Sequence, residues 1–180
     1  LAARPGYLSI VAEAAATLSA MSEQTIPAIP YVALLEGRDP LEVLRATPAR
    51  LAGVLTQLSP EQAEHKPAPH KWCVREIFAH LADCEIAWTW RLRQAFAEDN
   101  PRLQPFDQDR WARAYGNYTL DQAHTTWKAL RGWNVAFLSG LTEADKTRPA
   151  THAELGPITL WTIAGIAAGH DLHHLRSLKG

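Results

Sequence analysis

With 180 residues the chain is long enough for one domain with a sizeable core, or for one domain and an appendage. Its 18 Lys and Arg stand against 19 Asp and Glu, a formal charge of −1 with no basic run, which removes any electrostatic case for nucleic acid or an anionic membrane. No apolar stretch reaches bilayer length. The two cysteines, Cys73 and Cys84, fall on one expected helix about 16 Å apart, beyond disulfide reach. Two unbridged thiols point to a reducing, cytoplasmic compartment.

The chain opens on Leu1 and has its only methionine at Met21. Residues 1–30 are set apart as an N-terminal extension. Residues 7–21 are alanine-rich without Pro or Gly and read as a short helix. Glu13 interrupts the apolar run, so no secretory signal is read. Ile26-Pro27-Ala28-Ile29-Pro30 is a linker, since each Pro disfavours helix in the residue before it.

Residues 31–180 form the predicted main domain. Asp39-Pro40-Leu41-Glu42 carries a cap, a proline suited to the first helical position and a capping-box acid. That helix runs over 39–58, bent at Pro48, with Leu41, Leu44, Leu51, Val54, Leu55 and Leu58 at helical spacing. Pro60, Pro67 and Pro69 make 59–71 a loop. The next helix spans 73–97. Its apolar stripe is Cys73, Ile77, Leu81, Cys84, Trp88 and Ala95, with His80 at the stripe edge. Residues 98–118 are a long aromatic loop in which 107–111 can make one turn, and such loops are more often functional than filler. Thr119 caps a helix over 119–140 carrying Ala123, Trp127, Leu130, Val135 and Leu138. After a polar loop at 142–158, a helix over 159–178 aligns Leu160, Ile163, Ala164, Ala167, His170, His174 and Leu178. No strand pattern or internal repeat is read. The expected fold is all-α, a four-helix bundle with a short extra N-terminal helix.

The chemistry lies in His170-Asp171-Leu172-His173-His174. Residues four apart share a helix face, so His170 and His174 project side by side while His173 turns to one flank. A lone histidine on an apolar face, such as His80, is ordinarily a core residue bonded to a carbonyl or carboxylate. Three at the core-facing edges of two bundle helices are a different case. Burying them unpartnered costs about 1–3 kcal/mol each, and bundle cores build metal sites from facing helices. His80, His170 and His174 are therefore the expected ligands of one divalent metal. His65, His70, His124 and His152 lack ligand spacing. Trp88, Trp127 and Trp161 read as packing, whereas Trp72 and Trp111 sit at loop–helix junctions where pockets form. Glu76 and Asp83 can orient His80 or pair at the surface, and the surface reading comes first because charges are rarely buried unpaired.

Leu35-Glu36-Gly37-Arg38-Asp39-Pro40, Trp72-Cys73-Val74-Arg75-Glu76-Ile77 with His80-Leu81-Ala82-Asp83, Phe106-Asp107-Gln108-Asp109-Arg110-Trp111 and His170-Asp171-Leu172-His173-His174-Leu175 together resemble the DinB-like (DinB/YfiT) superfamily over about residues 31–178. The chain departs from the common pattern where Cys73 replaces a Ser or Thr cap and where Ser177 stands in place of Gln. The resemblance implies a four-helix bundle, often dimeric, with one metal (Zn, Ni, Fe or Mn) on His80, His170 and His174. It also implies transferases and isomerases that use a low-molecular-weight thiol. The expected function is therefore a thiol-dependent transferase acting on a small-molecule substrate. A metal-dependent hydrolase and a non-catalytic metal-stabilised binding module are the alternatives. Trp72, Asp107, Arg110 and Trp111 are the expected pocket contacts.

Overall fold

The structure, a computed structural model, describes residues 29–178. The short helix expected over 7–21 lies outside them. The four long helices are α1 (Pro40–Leu55), α3 (Val74–Ala97), α5 (Leu120–Ser139) and α7 (Leu160–Ser177). Between them come short α2 (Pro60–Glu64), α4 (Gln108–Ala112) and α6 (Glu143–Lys146). The helix starts obey local chemistry. Asp39 Oδ1 accepts from the Glu42 amide at 3.1 Å, and Thr119 Oγ1 accepts from the Gln122 amide, also at 3.1 Å. At the start of α3 the Glu76 carboxylate accepts from the Cys73 amide at 3.0 Å, so the acidic half of the capping box is in place.

Each long helix has two long neighbours, in the ring order α1–α7–α3–α5. The consecutive helices α1 and α3 therefore sit across the diagonal. Their connection is long enough to cross the bundle end, whereas a short loop would have forced them side by side.

The absence of strands is corrected. Strands β1 (Arg102–Leu103), β2 (Pro149–His152) and β3 (Gly156–Thr159) form a small sheet in that order, β1 parallel to β2 and β2 antiparallel to β3. Strands of two to four residues interrupted by proline carry too few positions for a period of two to be read.

Helix α7 is buried on every side from Ile163 to Leu172. Helices α1 and α3 cover two of its sides, and a 3₁₀ turn at Val32–Leu35 with the residues before it covers another. Small residues make this possible. A Cβ on Gly165 would touch Val32, and one on Gly169 would lie 2.2 Å from the Tyr31 carbonyl oxygen. Tyr31 itself has φ 63°, an αL conformation costly for a bulky residue. Helix α5 also differs from expectation. Leu130 and Val135 are only half-buried, and Arg131 and Asn134 occupy the core-facing positions.

Candidate metal centre

His80 on α3 and His170 and His174 on α7 meet in the bundle interior, each no more than 8 % exposed. His170 Nε2 lies 3.0 Å from His80 Nε2 and 3.1 Å from His174 Nε2. Protons cannot satisfy this arrangement. An imidazole nitrogen has either one hydrogen or one lone pair, so His170 Nε2 can serve only one of its two neighbours. A cation can serve all three. Ligands about 2.0–2.1 Å from an ion are about 2.8–3.4 Å apart between octahedral and tetrahedral angles, which brackets both separations from His170 Nε2. The donor set fits a divalent transition metal.

Burial holds the rings neutral, as ligands must be. It pulls the pKa of His80 down to about 4, with the charge of His173 adding a little. Burial, then His80, His173 and Arg131, take His170 to about 3. His174 falls to about 2 through burial and the neighbouring histidines, with Asp171 opposing.

Among the described residues, the group whose ligand atoms all lie within 4.8 Å of one another is His80, Cys84 and His170. The sulfur, however, lies 3.8 Å from His80 Nδ1 and 3.6 Å from Nε2. A co-ligand of an ion on Nε2 would be much farther from Nδ1 than from Nε2. As placed, Cys84 packs beside the ring, and His174 is the better third donor. The other side of His80 faces Tyr115, whose hydroxyl is 3.4 Å from Nδ1 and close enough to the Asp83 carboxyl to draw its pKa down against the larger upward pull of burial. With Nε2 given to a metal, Nδ1 donates to the Tyr115 hydroxyl. Glu76, by contrast, pairs with Lys66 at 2.8 Å.

Of the expected pocket residues, Trp72 is at the centre, its ring 4.8 Å from that of His80. Asp107 and Arg110 are not. They lie exposed on α4, paired with each other at 3.2 Å, and Asp107 caps the helix through the Arg110 amide. Trp111 stacks on Phe106 at the surface, 4.8 Å between centroids. His173 is exposed, its ring packed against Tyr31, which also meets His170 edge-on at 5.3 Å.

Sequence reasoning missed a second buried polar group directly behind the histidines. Arg131 pairs with Glu85 and with Asp171. Thr47 donates to Asp171 Oδ2 at 2.8 Å, and Asn134 donates to Glu85 Oε2 at 2.6 Å. All four long helices contribute. Burial alone would lower the Arg131 pKa, but the two carboxylates hold it above its ordinary value. The available signal was Trp127-Arg131-Asn134-Leu138, where two polar residues continue a buried helical line.

Several hollows lie among the described residues. One of about 440 Å³ is lined by Leu55, Leu58, Leu120 and His124 among others, and shares no residue with the histidine centre. Another, about 320 Å³, is bounded by Tyr31, Trp88 and Ile166. It lies one helical turn from Cys84 on α3 and from His170 on α7.

A family model described as the DinB superfamily matches residues 43–178. The chain belongs to the DinB superfamily. Among DinB-related proteins, one from Oceanobacillus iheyensis is 32 % identical over 129 residues, 71 % of this chain and 75 % of that protein. YfiT of Bacillus subtilis is 26 % identical over 138 residues, 75 % of this chain and 78 % of its own. Both carry the provisional name of metal-dependent hydrolase. The solved structure of YfiT superposes with a TM-score of 0.71 at 24 % identity, covering 78 % of this chain and 82 % of that one. It is described as a four-helix bundle of unusual topology. Among the described residues no helix is long and apolar enough to cross a membrane.

Proposed function

We propose that this DinB-superfamily protein is a metal-dependent hydrolase whose cation is held by His80, His170 and His174. The observation that carries the reading is the convergence of three buried, neutral imidazole nitrogens that no placement of protons satisfies. A divalent ion with open positions lowers the pKa of bound water towards neutrality and polarises an acyl or phosphoryl oxygen.

The chain's own residues support that chemistry. Tyr115 fixes the His80 tautomer, leaving its Nε2 lone pair facing the other rings. Trp72 and Tyr31 flank the His80 and His170 rings and exclude water from them. The Arg131 network ties Glu85 on α3 to Asp171 on α7, and each is close in sequence to a ligand histidine. Thermal play between the two ligand-bearing helices is reduced accordingly.

The test begins with protein purified without an affinity tag. Metal analysis should find a roughly stoichiometric divalent ion, and a panel of activated esters and amides should be cleaved with no thiol present. Chelation and His170→Ala should abolish cleavage, and added metal should restore it only in the wild type. Turnover that requires a low-molecular-weight thiol would replace hydrolysis with thiol-dependent transfer at the same centre. Metal without turnover of either kind would make the protein a metal-stabilised binding module. Absence of metal binding would remove all three readings.

A further inference from the structure

The 320 Å³ cavity beside Tyr31 is the size of a small-molecule site. Most of its wall is apolar, from Trp88, Phe106, Leu155 and Ile166; of its two charged residues, Glu154 is exposed and Arg91 is buried. Arg91 on α3 is only 5 % exposed, and among the described residues no carboxylate comes within ion-pair distance of it. Its one recorded hydrogen bond goes from Nη2 to the Gln104 carbonyl at 2.7 Å. The guanidinium is held between the Trp88 and Phe106 rings, 5.4 and 5.6 Å from their centroids. Buried arginines are normally paired, because desolvating the charge without a partner is costly. Arg131, in the same core, has two carboxylates; Arg91 has none among the described residues.

A second donor faces the same space. The His152 ring lines the cavity, and its Nδ1 accepts from the Glu154 amide at 3.2 Å. That bond places the ring proton on Nε2, where it can be donated onward. Glu154, exposed at the rim, acts on Arg91 from beyond ion-pair distance and holds its pKa up. Burial still draws the Arg91 guanidinium below the ordinary arginine range.

We infer that this cavity is an anion subsite in which Arg91, helped by His152, holds the carboxylate of a small, largely apolar organic acid. A planar guanidinium fixed by stacking and by one carbonyl has its other nitrogens free for a two-point bond to a carboxylate. Trp88 and Phe106 receive the apolar body. Tyr31 is the partition, since the same residue lines the cavity and packs on His170. A substrate anchored at Arg91 is thereby directed past Tyr31 towards the histidines, a placement that rests on the hydrolytic reading above, whereas the anion site itself does not.

Benzoate and its neutral isostere benzamide test the assignment by calorimetry and by quenching of tryptophan fluorescence, in both metal-free and metal-loaded protein. Benzoate should bind in both states, and at least tenfold more tightly than benzamide. Arg91→Lys and Arg91→Gln should each weaken benzoate at least tenfold while leaving metal content unchanged. If Arg91→Gln does not fold, the lysine variant and the benzoate–benzamide difference in wild type decide the matter. Equal binding of the two probes, or benzoate binding indifferent to Arg91→Lys, overturns the inference. Benzoate binding that needs metal and ignores Arg91 also overturns it, and leaves the metal reading intact. Benzoate held through Arg91 in a protein that binds no metal would do the reverse.

Discussion

Two polar clusters share the interior of this bundle and the same two helices, yet they are built on opposite principles. Around Arg131, two carboxylates and a hydroxyl answer one guanidinium, an amide bonds one of those carboxylates in turn, and the chain supplies every partner. Around His170, three nitrogens of the same kind face one another, and the chain supplies nothing to reconcile them. The first cluster is complete as folded. On the reading proposed above, a bound cation completes the second. Asp171 directly follows His170, so on α7 a single step separates a charge-pairing residue from a histidine of the centre.

Acid should break the comparison most severely. In metal-free protein the unfolded chain takes up protons below about pH 6.5, the ordinary histidine pKa, that the folded rings refuse until pH approaches about 4, 3 and 2. Stability is therefore full above about pH 6.5 and falls as the pH drops, by about 1.4 kcal/mol per pH unit for each ring and about 4 kcal/mol for the three. Urea denaturation at pH 7 and pH 5 measures this, and a flat profile would mean the rings are not held neutral.

Next in size is Arg131→Met. It leaves Glu85 and Asp171 buried without a counter-ion, at a cost of about 3–5 kcal/mol. Because the polar core is closed on itself, the loss should be the same with and without metal in parallel denaturation series. His170→Ala should behave in the opposite way. Metal at a hundredfold excess over its dissociation constant adds about 3 kcal/mol to the wild type, and the variant should lose that increment while its metal-free stability does not fall.

The smallest effect sharpens the contrast within the histidine cluster itself. Tyr115→Phe removes the hydroxyl between His80 Nδ1 and Asp83. Metal affinity in a chelator competition should fall about tenfold, the lower end for loss of such an orienting contact. Unchanged affinity would mean that the tyrosine only fills space.

Much of this architecture was legible before any coordinates. Proline at Pro40, the caps at Asp39 and Thr119, and helical spacing of apolar residues located the long helices to within a few residues, because caps and periodicity are local chemistry. The four-residue interval between His170 and His174 put them on one face for the same reason. Other features had no local signature. Asp107 and Arg110 looked like pocket residues, but their spacing equally suits a cap and an exposed ion pair, which is how they are used. Tyr115, in a 3₁₀ turn of the aromatic loop, had no sequence relation to His80.

What the amino-acid order determined by itself is therefore everything that depends on neighbours within a turn or two: where helices begin, which faces are apolar, and that two imidazoles would stand together. Only the tertiary structure decided which distant groups complete each cluster. Whether Arg131 would find two acids while Arg91 found none depends on the ring order of the helices and on how far each side chain reaches across it. Pairing of charges across a core is set by three-dimensional distance and desolvation, and neither is written in sequence separation.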